Sequence, residues 1–573
     1  MDVPAWCRSV AGEGPVLVVV PHGGLCAHDL LELRRGGTLR GNDLHTGEVA
    51  RALAQRLGAS LIENLAVDRN QLDLNRVDEV TTHAPWFLDL LREHLGRILA
   101  RHAHAEVLFV HGWHVVQPTC DVGVGARLAT PTEAAKLAPR LTASPSYVAS
   151  ALDTLRALGA RDGIHTTFGE RWPAAHPNNV MQLFRRVPRA TGGPCAALAD
   201  LTASGRTHAV QLELGAPLRF PGAWRERFVA AAAAAFGGAA QRANVDAGAS
   251  VATPSAALVA PRGHADARRG HGDAAQRAAA ATAGAHAPVR GVALQAHDAA
   301  VGAHGLGIVA GLGALGPDEI GGRLLLLPGG QRVLLFTGHG RPRADGRLAL
   351  AGLEAEIGEH TAWVRFRGPL LDIPDAALYF RDERAQLAAR VVGADVELHY
   401  ATSEARTWGW LEGRVRLDGA VLRVGATAFT DPVLARLAPE RPGVRLRLVA
   451  SFGADLGAVA DLDPGEPASS LRLLGDDGAT ALALAEEADG AHAPLPDVVP
   501  GRLTPPFALA LRGGGALRCT PRSHVTILRP VRPGLFARVT FGVAGYALGE
   551  RRGSGFYEHT TAFACGADAR EPT

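Results

Sequence analysis

Between residues 10 and 238, solid apolar runs alternate with segments whose apolar positions recur every three to four residues. Val16-Leu-Val-Val-Val20, bounded by Gly14 and Pro21, and Val107-Leu-Phe-Val110 read as strands buried on both faces, as in a parallel sheet. Val49, Ala50, Leu53, Ala54 and Leu57 form a helical stripe. Thr46 is its expected cap, Glu48 sits in its first turn, and Gly58 stops it. A short strand is expected at Ala59–Ile62. Phe87, Leu88, Leu90, Leu91, Leu95 and Ile98 place a second helix over Pro85–His102. A helix over Tyr147–Leu158, strands at Val180–Phe184 and Ala209–Leu214, and a helix over Ala223–Phe236 complete the alternation. The pattern predicts an α/β region with a parallel or mixed sheet and helices on both faces.

From Gly237 to about Arg290 large apolar residues almost vanish and Ala, Gly, His and Arg take over. A flexible linker is expected there. Beyond it the period changes to two, as in Val396-Glu-Leu-His-Tyr400, Val444-Arg-Leu-Arg-Leu448 and Arg538-Val-Thr-Phe541. Arg414–Val424 reads as a hairpin turning at Asp418-Gly419. Many short alternating strands predict a β-sandwich or barrel. The expected division is thus an α/β domain over 1–238, a linker over 239–290 and a β-rich domain over 291–573. Gly311-Leu-Gly-Ala-Leu-Gly316 matches a dinucleotide-binding string, but Pro317 breaks the helix such a site needs.

Length alone argues for more than one core in a chain of 573 residues. A formal net charge of +2 gives no reason to expect a nucleic-acid or anionic-membrane partner. No basic leader or bilayer-length apolar run is present, and the six cysteines include no CxxC pair. Reduced thiols and a cytoplasmic location are therefore expected.

Chemistry concentrates at strand ends. The first buried strand ends in His22-Gly23-Gly24 and a later one in His111-Gly112, and carboxylates Asp43, Glu48 and Glu213 stand at helix starts or strand ends. Ligands in open α/β sheets bind at the carboxyl ends of strands. A catalytic zinc needs about three nitrogen or oxygen ligands and an open position, with a further carboxylate to carry protons. Arg76 and Asn75 have the chemistry to grip a carboxylate and orient an amide. The alternative for Arg76 is an ion pair with Asp73 or Asp78, and for Glu213 one with Arg219 or Arg225. Asn178 and Asn179 read as turn residues.

Taken together, Pro21-His-Gly-Gly24, Asp43-Leu-His45, Asp73-Leu-Asn-Arg76, His111-Gly112 and Gln211-Leu-Glu213 resemble the N-formylglutamate amidohydrolase family over roughly residues 10–238. That family is related to zinc carboxypeptidases and aspartoacylases. The resemblance implies a three-layer α/β/α metallohydrolase domain and zinc, or another divalent metal, held by His22, His111 and a carboxylate. Asp43 is the first choice for that carboxylate, then Glu48, then His45, because position 25 is Leu where relatives carry a close glutamate. His114 is an alternative or helper to His111. The resemblance makes Glu213 the general base and Asn75, Arg76 and Arg219 the substrate-binding residues. The implied activity is hydrolysis of a small-molecule amide, an N-acyl amino acid such as N-formylglutamate; a metal-free binding protein is the alternative. In the β-rich part, Arg406-Thr-Trp-Gly-Trp410 and Gly553–His559 resemble the lipocalin-like carotenoid hydratase group. Trp363, Trp408, Trp410, Phe556 and Tyr557 are candidates for lining a pocket there, for a small hydrophobic or carbohydrate-like ligand. Glu558-His559 is an alternative acid–base pair.

Overall fold

The computed structural model describes residues 3–25, 41–185, 194–249, 292–430, 443–484 and 503–564, apart from short stretches within those ranges. Three sheets organise it: a seven-stranded mixed sheet with helices, then two β-rich sheets of ten and nine strands.

The first sheet contains β1 (Cys7–Val10), β2 (Val16–Val20), β3 (Ser60–Asn64), β4 (Ala105–Trp113), β5 (Thr119–Gly123), β6 (His165–Thr167) and β7 (Thr207–Gly215). Their order is β1-β3-β2-β4-β7-β5-β6. The central pairs β3–β2, β2–β4 and β4–β7 are parallel. Alternate residues of β2 enter two separate cores. Val16, Val18 and Val20 join the core of the helices Thr46–Leu57 and Ala223–Ala249. Leu17 and Val19 join that of Pro85–Arg101. Burial on both sides is what made this strand read as solid Val and Leu.

Local departures from expectation have local causes. Thr46 is not the helix cap. His45 occupies that place at φ 63°, and the Thr46 hydroxyl instead donates to the carbonyl of Asp43. Val180–Phe184 is a 3₁₀ helix rather than a strand, started by the Asn179 side chain accepting from the Met181 N–H. All five of its residues are buried, so its apolar run carried no period to distinguish helix from strand. The helix expected at Tyr147–Leu158 starts at Pro145, widens into a π-turn at Val148–Leu152 and continues through Arg161. The helix expected to end at Phe236 continues through Ala249, so the first part of the expected linker is helical. The remainder of that linker lies outside the described residues, as does His114.

The second sheet comprises β8 (Val292–Asp298), β9 (Leu306–Gly316), β10 (Glu319–Leu327), β11 (Val333–Gly340), β12 (Leu348–Leu350), β13 (Leu353–Ile357), β14 (Thr361–Ile373), β15 (Arg390–Ala401), β16 (Trp408–Leu417) and β17 (Ala420–Thr430). β8 pairs with β17, and β11 pairs with β14, which closes β8–β11 and β14–β17 into a barrel. Leu324, Leu326, Phe336, Phe366 and Leu398 fill its interior. The Asp418-Gly419 turn lies where expected, with Leu417 facing Ala420 and positive φ at both turn residues. Gly311–Gly316 is part of β9, far from a phosphate-binding turn.

The third sheet is built from strands between β18 (Gly443–Ser451) and β26 (Arg551–Ala564) in the chain. Its terminal strands are β21 (Gly478–Ala483) and β22 (Phe507–Ala510), and an isolated bridge between Leu484 and Leu511 joins them. Trp408, Phe556 and Tyr557 are core residues, 4%, 2% and 0% exposed, rather than pocket lining. All three sheets meet at one apolar cluster, where Leu44, Val116, Ala216 and Phe220 pack with Val309, Leu325, Val525 and Phe541. The His339 N–H donates to the Gln117 side chain there, 3.1 Å away. No described helix is long and apolar enough to cross a membrane.

Candidate metal centre

His22 and His111 lie just at the carboxyl ends of the parallel strands β2 and β4. Glycines beside them let neighbouring groups approach closely. A Cβ on Gly24 would stand 2.0 Å from the carbonyl oxygen of Val67, and one on Gly112 would stand 2.7 Å from the Arg219 guanidinium. Asp43 reaches the same place from the segment before the first helix, where its N–H donates to the His22 carbonyl at 2.9 Å. A main-chain bond thus ties two of the three residues together.

Their side chains converge. Asp43 Oδ2 lies 3.1 Å from His22 Nδ1 and 3.1 Å from His111 Nδ1, and the two Nδ1 atoms are 3.2 Å apart. Four ligands at ~2.0–2.1 Å in tetrahedral array stand about 3.3 Å from one another, so this triangle has the size a zinc-like ion requires. All three residues are at least 97% buried. Together they form a group that could hold a metal ion.

The surroundings fix the donors. His22 Nε2 lies 2.7 Å from Asp73 Oδ1, which places its ring proton on that side and leaves the Nδ1 lone pair aimed at the centre. Asp73 Oδ1 also accepts from the Asn75 N–H at 2.9 Å, a local turn that follows from the Asp-x-Asn spacing. Arg69 bridges the carboxylates on either side of His22, 3.6 Å from Asp43 and 3.4 Å from Asp73. Burial, the largest influence on each acid, favours the protonated form. The close contacts of His111 and His22, aided by the charge of Arg69, outweigh it at Asp43. The hydrogen bond from His22, again with Arg69, does so at Asp73. Both stay well below the usual carboxylate range. Burial also lowers His111 to about 4, so its imidazole is neutral at pH 7, as a ligand must be. Its other nitrogen, Nε2, is buried without a hydrogen-bond partner.

Glu213 lies beside this group and outside it. On β7 it faces His111 on one side and Asp121 on the other. Gln211 Nε2 donates to it at 2.8 Å, and Asn179 in turn contacts Gln211 at 3.3 Å. Burial and then the nearby charge of Asp43 raise Glu213 well above the ordinary carboxyl range. A carboxyl held in that state can take up and return a proton.

The other sequence candidates fall in different places. Glu48 pairs with His45 at 3.2 Å, is nearly half exposed and takes no part in the trio. Neither does His45. Arg219 is 1% exposed, and its guanidinium donates to the main-chain carbonyls of Leu44, Trp113 and Leu214. It staples the loops behind the site, with no donor arrangement aimed at a substrate. Arg76 stands 3.8 Å from Asp73 and begins a helix, and the Asn75 side-chain oxygen is buried without a partner. Sequence reasoning gave Asp73 only a role as a partner for Arg76. Its place behind His22 was signalled by the Asp-Leu-Asn-Arg string alone. Arg69 and Asp121 had no such signal.

No family model and no curated protein matches this chain. Among solved structures, an N-formylglutamate amidohydrolase from Ralstonia eutropha JMP134 is similar at 13% identity, covering 42% of this chain and 100% of that one, with a TM-score of 0.29. Kievitone hydratase from Nectria haematococca is similar at 11% identity, covering 48% and 90%, also with a TM-score of 0.29. Likeness at that level carries no functional weight, and the reading that follows rests on the side chains.

Proposed function

We propose that residues 1–238 form a metal-dependent amidohydrolase domain with His22, Asp43 and His111 as ligands, acting on a small N-acyl amino acid of the N-formylglutamate kind. One observation carries the reading: two histidine Nδ1 atoms and one carboxylate oxygen converge, buried, at the carboxyl ends of parallel strands. A divalent cation held there supplies Lewis acidity and lowers the pKa of a coordinated water toward ~7.

The chain's own residues do the rest. Glu213 takes a proton from the attacking water as the new C–O bond forms, and delivers it to the amine as the C–N bond breaks. Asp73 holds the His22 ring in one tautomer, and Gln211 orients the Glu213 carboxyl. Asn75 and Arg76 bind the substrate's amide and carboxylate, with Asp73 limiting the rotation of Arg76. Arg219, seated on main-chain carbonyls, shapes the loops and does not touch substrate in this scheme.

Elemental analysis of the purified chain, paired with amide turnover, tests the proposal. About one zinc or similar ion per chain is expected, and His22→Ala should lose both the ion and turnover while keeping its far-UV circular dichroism. Metal-free protein with full turnover in a strong chelator would end the reading.

A further inference from the structure

On the outer wall of the barrel, a cleft of roughly 610 Å³ opens between Trp363 and Trp410. Its lining follows from strand register. Glu356, Trp363, His399 and Glu412 face one another straight across β13–β16. Thr361, Ala401 and Trp410 form the adjacent row. Their neighbours Ala362, Val364, Leu398, Tyr400 and Leu411 point the other way into the barrel core, so both rows face outward. Trp410 is 53% exposed, the most exposed of the large apolar side chains among the described residues. Its ring lies over Gly425, where an added Cβ would come within 3.2 Å of ring carbon Cζ2. Ala401, small and central, leaves the depth of the cleft.

Charge distinguishes this cleft from the wall around it. Elsewhere on the same face carboxylates are matched, Glu397 by Arg414 at 2.7 Å and Asp395 by Arg367 at 3.3 Å. Among the described residues, Glu356 and Glu412 form no ion pair. Two unmatched carboxylates therefore flank two indoles whose ring faces are themselves electronegative. A neutral sugar would need the ring platforms and leave the charge unanswered. A hard metal ion would answer the charge and leave the rings unused.

We propose that this cleft binds a small organic cation, a methylated or quaternary ammonium group held over the indoles and flanked by Glu356 and Glu412. The cation's methyl surface covers the rings, and its charge is delocalised enough to be desolvated there at modest cost. The site is separate from the candidate metal centre and stands or falls independently of it.

Tryptophan emission of the full chain, titrated with choline chloride, tests this directly. The neutral isostere 3,3-dimethylbutan-1-ol and a neutral β-glucan hexasaccharide serve as controls. Choline should give a saturable change at millimolar concentration, about tenfold or more tighter than its neutral isostere, and weaken as NaCl rises from ~0.05 to ~0.5 M. Trp410→Ala should abolish the response. The pair Glu356→Gln with Glu412→Gln should erase the preference for choline over the isostere. Melting curves of the variants establish that they fold, and the choline-to-isostere ratio in the unaltered chain needs no variant. Equal affinity for choline and its isostere, saturation by the hexasaccharide in place of choline, or no saturable response by about 50 mM would each overturn the proposal.

Discussion

Two regions of this molecule bury polar groups, and they do so in opposite ways. In the barrel region, charge is cancelled where it is buried: Asp372, 2% exposed, accepts from Arg332 at 2.8 and 3.1 Å and from Arg390 at 3.0 Å. Asp461 is likewise shared by Arg445 and Arg447. At the carboxyl end of the first sheet, by contrast, two imidazole nitrogens face each other across 3.2 Å with one carboxylate oxygen between them. A group whose partners are complete holds a fold together, and one whose donor atoms converge on a common point could hold an ion.

The sharpest way to break this contrast is at Glu213. Glu213→Gln keeps shape and hydrogen bonding but cannot carry a proton, so turnover should fall by ~10²–10⁴ with bound metal retained. Parallel measurement of kcat and metal content checks it. Loss of metal together with activity would make Glu213 a part of the binding set and not a base.

Asp372 provides the converse. Asp372→Ala leaves two guanidiniums without their acid and should lower stability by about 1–3 kcal/mol in urea unfolding, without altering turnover. That is less than a fully buried pair would lose, because both arginines are about half exposed and water screens them.

At neutral pH the smallest effect is expected at His524, 1% exposed with neither ring nitrogen hydrogen-bonded. Burial lowers it to about 4, while in the unfolded chain it titrates near its ordinary value of about 6.5. Between those values only the unfolded state binds the proton, so stability is complete above pH ~6.5 and is lost as pH falls toward 4. His524→Leu should flatten that slope by up to about 1.4 kcal/mol per pH unit, read from unfolding curves between pH 4 and 7. An unchanged slope would mean that His524 finds a proton acceptor in the fold.

How much of this was legible beforehand divides along the same line. Val16–Val20 and Val107–Val110 announced buried parallel strands; the histidine-glycine pair marked the end of the first, while the second runs on through His111 and Gly112 to Trp113. Periodicity also located the Thr46 and Pro85 helices to within a residue or two. What stayed hidden depends on contacts between distant residues. His22 meets Asp73, 51 positions away, and no local pattern encodes that meeting. Barrel closure rests on pairing such as Ala428 with Ala296, and alternation alone cannot tell a barrel from a sandwich. The surroundings of Arg219 were hidden for a simpler reason. An arginine after a strand looks the same in sequence whether it faces a substrate or three carbonyls.

The way the sheets end bears on how the protein behaves in a crowded solution. A strand with an unpaired edge is a template on which another chain can add. The first sheet finishes in β1 and β6, of only four and three residues, and the barrel has joined its own ends through β11 and β14. The third sheet is stitched between its terminal strands by a single bridge, Leu484 to Leu511, among the described residues. Self-association through strand addition, if this protein is driven to it by heat or denaturant, should therefore start in the third sheet and not at the barrel. It would begin at that seam or along Val525–Arg532, a strand paired on one side only among the described residues.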